Sequence, residues 1–324
     1  MNKQFHSIYA TYIYQLVSLK RQLGFRYRTE ETILSIFDRF ALDKGESKIG
    51  ITRELADAWI NLRPNESASY KYHRAICLNQ LASFLINAGI RSYVCQIPTR
   101  KTSFVPHIYS RSEMATLFRV CDEMKLVKGL RSIIIVIPTL IRLLYATGLR
   151  ISEALLLRNR DVNLQENYLI VRDSKNGNER MLPFSDSLSK VCKNYLVNRN
   201  RIPVRVHDDD PFFVSLQGMA CRSDVVGKWF KKVLWNAGIP RNDHGPRLHD
   251  LRHTFAVHAL ASMAESGTDL YCALPILSTY LGHQSLEATN QYVRLTAAMY
   301  PGLLKDVDMI CLNVFPIPKD YETN

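Results

Sequence analysis

Apolar positions in the first third of the chain recur at helical spacing and predict four short helices. Residues 8–19 place their apolar side chains on one helical face, and similar patterns run over about 29–42 and 67–87. A further helix is predicted to open at Thr52-Arg53-Glu54, where a capping residue precedes an acidic first turn. Four amphipathic helices of this size can bury one core, so residues 1–97 are expected to form a helical domain.

A segment without apolar periodicity follows these helices and predicts a domain boundary. Residues 98–109 contain two prolines and two basic residues, which indicates an extended, basic linker. Ser110-x-x-Glu113 then has the spacing of a capping box and predicts the start of a new helix. We therefore expect a second domain over residues 110–300 and a C-terminal tail over 301–324.

The second domain mixes helical patterns with two strand patterns, so the expected fold class is mainly α with a small β-sheet (α+β). Residues 168–171 and 181–184 are predicted strands, and Lys175-Asn176-Gly177-Asn178 between them is a strong turn signal. The inserted residues between Arg252 and Leu281, which include Pro275, are expected to form a loop between helices. Helices are predicted at about 111–126, 131–146, 151–157, 186–199, 222–237, 250–265 and 285–291.

The charge of the chain narrows the classes of partner. Its 324 residues include 42 Lys and Arg against 30 Asp and Glu, a formal net charge of +12. The first 106 residues hold 15 of these basic residues and 8 of the acidic ones, a net charge of +7. A basic surface favours nucleic acid, an anionic membrane or an acidic protein. The longest apolar run, residues 133–141, is much shorter than the ~20 residues of a membrane-spanning helix.

The spacing of the cysteines and the lack of a phosphate-binding loop argue against a bound metal or cofactor. Seven cysteines are scattered without CxxC spacing, which favours reduced thiols and a cytoplasmic location. His253 and His258 lie near His249, but no carboxylate or cysteine follows at the spacing of a zinc site. The chain also lacks a Walker-type phosphate loop. We therefore expect neither a metal nor a cofactor.

Six residues are of types that can bind phosphate or transfer a proton, although each has an ordinary structural interpretation when taken alone. An arginine that follows a helix-ending glycine is usually structural, and a lysine in a turn is usually only exposed to solvent. A lone tyrosine is usually a half-buried packing residue. His249 and Arg252 share a predicted helix face at i, i+3 spacing. In chain order the six are Arg150, Lys175, His249, Arg252, His283 and Tyr292.

This set of residues, in this order on a basic chain, resembles the tyrosine recombinase (phage integrase) family. The resemblance covers about residues 107–300, and the basic helical segment before them is similar to the core-binding domain of that family. It implies a helical core-binding domain followed by a tyrosine recombinase catalytic domain.

The resemblance also implies a role for each charged residue around the phosphate. Residues matching Arg150 and Arg252 bind the non-bridging phosphate oxygens, for which the planar, permanently charged guanidinium is suited. The residue matching His283 assists them. Glu153, at the usual acidic position of the family, is expected to support Arg150 and not to react.

The same resemblance implies how the bond is broken. Tyr292 is the expected nucleophile, and because a phenol has a pKa near 10 it needs a base or a cationic surrounding. His249 is the expected general base, and Lys175 is expected to protonate the leaving 5′-oxygen. The product is a 3′-phosphotyrosyl linkage that can be resealed without ATP.

The function implied by the resemblance is site-specific recombination of double-stranded DNA. It also implies a protein of the bacterial cytoplasm that lies on the nucleoid when it binds DNA. A homotetramer on two DNA sites is expected, alone or with a related recombinase partner, and with no membrane involvement. Integration, excision or transposition of a mobile element is the favoured role, and Xer-type resolution of chromosome or plasmid dimers is the alternative. A type IB topoisomerase and a non-catalytic DNA-binding protein remain as competing hypotheses. The tail is expected to dock either on a neighbouring protomer or on its own chain.

Overall fold

The chain divides into two units, Met1–Ser103 and Phe104–Asn324. The computed structural model describes residues 3–61, 65–98, 105–124, 132–172, 179–203, 206–240, 245–283 and 287–300. The predicted turn at Lys175-Asn176-Gly177-Asn178, half of the expected linker and the expected C-terminal tail therefore lie outside the described residues.

The first unit contains the four predicted helices. They are α1 (Ala10–Gln22), α2 (Arg28–Asp43), α3 (Arg53–Ile60) and α4 (Ala68–Asn87). The hydroxyl of Thr52 accepts the backbone N–H of Leu55 at 3.1 Å and caps α3. Ser67 caps α4 in the same way through the N–H of Tyr70. These bonds satisfy N–H groups that the first turn of a helix leaves without a partner.

Aromatic rings fill the centre of the first unit. The ring of Trp59 meets those of Phe37 and Phe40 at centroid distances of 5.3 Å. The guanidinium of Arg74 lies 4.1 Å from the Trp59 ring and pairs with Glu66 at 2.9 Å. Because Arg74 is 2% exposed, this arginine stabilises the core and does not contribute to the basic surface of the unit.

The second unit is also mainly helical, as its sequence predicts. The capping box at Ser110 is present, with the hydroxyl accepting the N–H of Glu113 and the carboxylate accepting the N–H of Ser110. The helices in the described part of this unit are α5 (Arg111–Asp122), α6 (Ile137–Thr147), α7 (Ile151–Leu156), α8 (Asp186–Arg199), α9 (Ser223–Asn236), α10 (Asp250–Glu265), α11 (Leu270–Leu281) and α12 (Glu287–Met299).

The long apolar run of the sequence forms part of the core of the second unit. It includes the first turns of α6, where Leu140 and Ile141 are completely buried. The helix begins at Ile137 and not at residue 131 as predicted, because Pro138 lacks the N–H that would bond a preceding turn. No helix among the described residues is both long enough and apolar enough to cross a membrane.

A small antiparallel sheet packs one face on this core. Its strands, in the order β1-β2-β3, are β1 (Val162–Asn163), β2 (Tyr168–Val171) and β3 (Arg180–Pro183). Leu169 pairs with Leu182, and both are buried. The neighbouring Met181 is 60% exposed, as the two-residue period of a strand requires. The pair β2–β3 confirms the predicted strands, whereas β1 has two residues and is too short to leave a period in the sequence.

The expectation of a loop between Arg252 and Leu281 is wrong for most of the inserted residues, which form α11. Pro275 lies inside this helix and removes one backbone hydrogen bond. Burial of Ala273 and Leu277 against α10 compensates for that loss, since tertiary packing supplies most helical stability in proteins. The last predicted helix is also longer than expected, because α12 continues to Met299.

Candidate active site

Arg150 lies at a sharp corner between α6 and α7. Gly148 ends α6 with a φ of +61°, and a Cβ there would stand 2.5 Å from the Phe255 ring, so the corner requires glycine. Arg150 is the N-cap of α7, and its backbone N–H donates to the Glu153 carboxylate at 3.0 Å. Its guanidinium donates to the same carboxylate at 2.9 Å. Glu153 therefore fixes both the backbone and the side chain of Arg150.

Arg180 binds the opposite side of the Glu153 carboxylate. Its two terminal nitrogens donate to Glu153 at 3.3 and 2.9 Å, and its Nε donates to the Tyr280 carbonyl at 3.1 Å. It therefore joins the first residue of β3 to α7 and to the end of α11. A Cβ on Gly282 would stand 2.8 Å from this guanidinium, so glycine is also needed there.

The Glu153 carboxylate stays ionised between the two arginines. Burial alone would raise its pKa, but the hydrogen bond and charge of Arg180, and then those of Arg150, hold the pKa below its ordinary value. The carboxylate thus neutralises part of the positive charge that the two guanidinium groups bring together.

Arg252, the second predicted anion-binding arginine, is held in the interior near the start of α10. It donates to the Gly148 carbonyl at 2.7 Å and to the Leu281 carbonyl at 2.9 Å, so it ties together the ends of α6 and α11. Burial and then the charge of Arg150 lower its pKa to about 10. The guanidinium therefore remains charged at pH 7.

His283 follows α11 and is oriented by α12. Its Nδ1 lies 2.7 Å from the hydroxyl of Thr289, a completely buried residue, and this bond leaves Nε2 for another partner. Burial, then Arg252 and Arg150, lower the pKa of His283 to about 4. The imidazole is consequently neutral at pH 7.

Tyr292 is buried on α12 between imidazole rings. It is 1% exposed and stacks on His283 with ring centroids 6.1 Å apart and an interplanar angle of 14°. Its hydroxyl lies 3.1 Å from Nδ1 of His253. Burial raises the pKa of Tyr292, and the charges of Arg252 and Arg150 offset this only in part. In the free protein the phenol is therefore neutral.

His249 lies one helical turn before His253, and the two rings meet edge to face at 4.9 Å. The surrounding protein and then the charges of Arg252 and Arg150 lower the pKa of His249 to about 4. The residue itself is exposed. Solvent on the open side of His249 reduces the effect of burial on its pKa. Burial and the two arginine charges nevertheless both favour the neutral imidazole at pH 7.

A buried tyrosine, three arginines and three neutral histidines thus lie together in the second unit. Within the described ranges, no group of three or more His, Cys, Asp or Glu is arranged to hold a metal ion. Residues 110–299, more than half of the chain, match the model of the phage integrase family.

This chain belongs to the phage integrase family.

Two relatives agree with this assignment, and a solved structure has a similar fold. Protein y4rB of Sinorhizobium fredii strain NGR234, which bears the name of an integrase or recombinase, is 30% identical over 308 residues, 91% of this chain and 94% of y4rB. Tyrosine recombinase XerD of Caulobacter vibrioides is 30% identical over 230 residues, 68% of this chain and 69% of XerD. The fold is similar to that of the Tn1549 transposon integrase in complex with transposon right end DNA, at a TM-score of 0.65 and 16% identity, covering 87% and 94% of the two chains.

As a member of the phage integrase family, the chain is a tyrosine recombinase, an enzyme that cleaves and rejoins DNA in site-specific recombination. The described structure places together five of the six residues predicted from the sequence, with Glu153 beside them. The sixth, Lys175, lies outside the described residues.

Sequence reasoning on this recombinase missed the contacts of three further residues. His253 was considered only as a metal ligand, although its i, i+4 relation to His249 places both on one face of α10. Arg180 has no role in the sequence analysis, because its bonds to Glu153 join segments 27 residues apart. Thr289 carries no sequence signal, because nothing in its local pattern indicates that it faces His283.

The buried carboxylate of this tyrosine recombinase yields a prediction about stability. Glu153→Gln should lower the free energy of unfolding of the second unit by about 2 kcal/mol, because two guanidinium groups lose their counter-charge. The loss should be smaller than for a fully buried pair, since the Arg150 side chain is 23% exposed. Glu123→Gln is the matched control, and its exposed pair with Arg119 should contribute less than about 1 kcal/mol. Urea unfolding of both variants measures this, and equal effects would contradict a structural role for Glu153.

Proposed function

We propose that this recombinase cleaves each DNA strand through Tyr292 and rejoins it from a 3′-phosphotyrosyl intermediate. The observation that carries the proposal is the position of the Tyr292 phenol, stacked on His283 and bonded to His253 beside the charge of Arg252. Packing alone does not explain this position of the phenol. Burying cationic and titratable groups beside it costs free energy, and such clusters are typical of functional sites.

Arg150 and Arg252 are proposed to bind the scissile phosphate. Attack on phosphorus increases the negative charge of the non-bridging oxygens, and fixed cations stabilise that charge without reorganisation. Glu153 and Arg180 hold Arg150 in place, and two backbone carbonyls hold Arg252. His283, oriented by Thr289, adds a hydrogen-bond donor through Nε2 in the tautomer whose Nδ1 accepts from the threonine hydroxyl.

The chemical step then exchanges one phosphodiester for another. The Tyr292 oxygen forms a bond to phosphorus as the bond from phosphorus to the 5′-oxygen breaks. The phenolic proton passes to His249, whose neutral imidazole can accept it, and Lys175 supplies a proton to the departing 5′-oxygen. Attack of a 5′-hydroxyl on the phosphotyrosine reverses these transfers, so rejoining consumes no ATP.

The proposed domain organisation and assembly fit this reaction. The basic first unit is proposed to bind duplex DNA as a core-binding domain, and the second carries the chemistry. Recombination of two duplexes breaks four strands, and one nucleophile in each protomer therefore requires four protomers. We propose a homotetramer, alone or with a related recombinase, to which the tail contributes by docking on a neighbour or on its own chain.

The biological role is proposed to be integration, excision or transposition of a mobile element in the bacterial cytoplasm. Similarity to y4rB over 94% of that protein, whose name is that of an integrase or recombinase, supports this role. Similarity to XerD, a tyrosine recombinase, supports the alternative of Xer-type resolution of DNA dimers. The DNA that flanks the gene separates them, because terminal inverted repeats are expected only around a mobile element.

Covalent capture on DNA tests the proposed function. The full chain is incubated with a library of nicked duplexes of random sequence, denatured, and the protein-linked DNA is sequenced. We expect adducts on a narrow set of sequences, a phosphate attached to a peptide containing Tyr292, and a free 5′-hydroxyl that polynucleotide kinase can label. Absence of adducts, or attachment through another residue, would contradict the proposal, and adducts spread evenly over all sequences would contradict site specificity.

A further inference from the structure

The hydroxyl of Tyr292 is in contact with a histidine to which the sequence assigned no role in the reaction. His249 is the expected general base, yet the imidazole nitrogen 3.1 Å from the phenol oxygen is Nδ1 of His253. His249 packs behind it, with the two imidazole rings perpendicular at 4.9 Å. The two histidines therefore have different positions relative to the nucleophile.

The direction of this hydrogen bond follows from the protonation states of its two partners. Burial, followed by the neighbouring His249 when it is protonated and by the charge of Arg252, lowers the pKa of His253 to about 3, so its imidazole is neutral at pH 7. Burial raises the pKa of Tyr292, so the phenol keeps its proton. The hydroxyl therefore donates and Nδ1 accepts, which places the proton of His253 on Nε2.

The contact constrains the phenol in a way that stacking alone does not. His283 lies nearly parallel to the Tyr292 ring, and a stacked ring can still slide or turn in its plane. The His253 ring is inclined to it by 50° at 5.6 Å and reaches the oxygen itself. One histidine thus fixes the face of the ring and the other fixes the reacting atom.

We propose that His253 is a positioning residue for the nucleophile: its Nδ1 accepts the Tyr292 hydroxyl and fixes the oxygen beside Arg252 before attack. This inference rests on the proposed role of Tyr292 as nucleophile. It adds a residue to the reaction and keeps His249 as the base, to which the hydroxyl proton turns from Nδ1 of His253 as the bond to phosphorus forms. Small displacements of a reacting atom have large effects on rate, so loss of the contact should slow cleavage.

Two substitutions separate the hydrogen bond from the shape of the ring. His253→Phe keeps a flat ring and removes the acceptor. His253→Asn carries an oxygen on the same carbon as Nδ1 and keeps an acceptor near the same place. On a nicked duplex selected by the wild-type protein, we expect His253→Phe to form adduct at least tenfold more slowly at saturating protein. His253→Asn should restore most of the rate, and DNA affinity should change little in either variant.

A measurement without DNA tests the same contact. The protein is labelled with carbon-13 at the tyrosine ring carbon that bears the hydroxyl. The NMR signal of Tyr292 is then assigned by its loss in Tyr292→Phe. We expect this signal to shift in His253→Phe and to return towards its original position in His253→Asn. If His253→Phe does not fold, His253→Gln replaces it. The amide of glutamine lies one carbon further from the backbone than Nδ1, so it does not place an acceptor at the same position.

The outcomes decide between the inference and the proposed function. Wild-type rates in His253→Phe, or equally slow cleavage in folded His253→Phe and His253→Asn, would overturn the positioning role. If the wild-type protein forms no adduct on any duplex, the role of Tyr292 as nucleophile fails. The labelled signal then still shows whether His253 holds the hydroxyl.

Discussion

Tyr292→Phe is expected to abolish the covalent adduct and to leave DNA binding close to that of the wild-type protein. The substitution removes one oxygen from a side chain that is 1% exposed and keeps the ring that stacks on His283. Without the phenol there is no atom to form the bond to phosphorus, so adduct formation should fall by at least about a thousandfold. Denaturing gels after incubation with a selected nicked duplex measure the adduct, and gel shifts measure binding.

Tyr195→Phe is the matched control for this loss. Its hydroxyl is also buried and donates to the Phe212 carbonyl at 3.0 Å, but it belongs to α8 and packs in the main core. Removing it also takes a partner from the backbone N–H of Val214, which donates to it at 3.1 Å, so it should cost about 1–3 kcal/mol of stability and leave adduct formation intact. Adduct in Tyr292→Phe at the wild-type level would exclude this tyrosine as nucleophile. Loss in both variants would show that the assay reports folding.

The fold was predictable where local signals and burial agree. Capping residues and apolar periodicity placed the four helices of the first unit, and Ser110 with Glu113 marked the start of the second. The turn signal between two apolar runs placed β2 and β3. Helix α11 was missed because Pro275 argues locally against a helix, whereas the packing of Leu277 and Ala273 that stabilises it is a tertiary effect.

The candidate site shows the same division between residue type and contact. The arginines, histidines and tyrosine were identified because their order along the chain resembles the tyrosine recombinase family, and the chemistry of a phosphodiester explains their residue types. The contacts of His253 with Tyr292 and of Arg180 with Glu153 connect positions 39 and 27 residues apart. Such contacts depend on how α10 meets α12 and how β3 meets α7, and no local pattern contains that information.

Arg150→Ala is expected to reduce the rate of strand cleavage by about a thousandfold while DNA affinity falls only slightly. Removing one fixed donor to a developing oxyanion typically costs 10²–10³ in rate, and Arg150 would supply a full charge as well. One phosphate contact among many contributes little to binding a duplex. Arg150→Lys should also be slow, because an ammonium group cannot bond Glu153 and the phosphate with the geometry of the planar guanidinium.

The charge of the phosphate distinguishes a direct role of Arg150 from a structural one. Once the cleaved position is known, a methylphosphonate there replaces one charged oxygen with a methyl group. The quantity to compare is the factor by which wild-type cleavage is faster than cleavage by Arg150→Ala. If Arg150 neutralises that charge, this factor should be much smaller on the methylphosphonate than on the natural duplex. If Arg150→Ala acts by disturbing Glu153 and Arg180, the factor should be the same on both.

Arg119→Ala, which removes an exposed arginine on α5, should cleave both duplexes at wild-type rates. Because the neutral linkage changes only the substrate, a smaller factor for Arg150→Ala can arise only from an interaction with the phosphate itself.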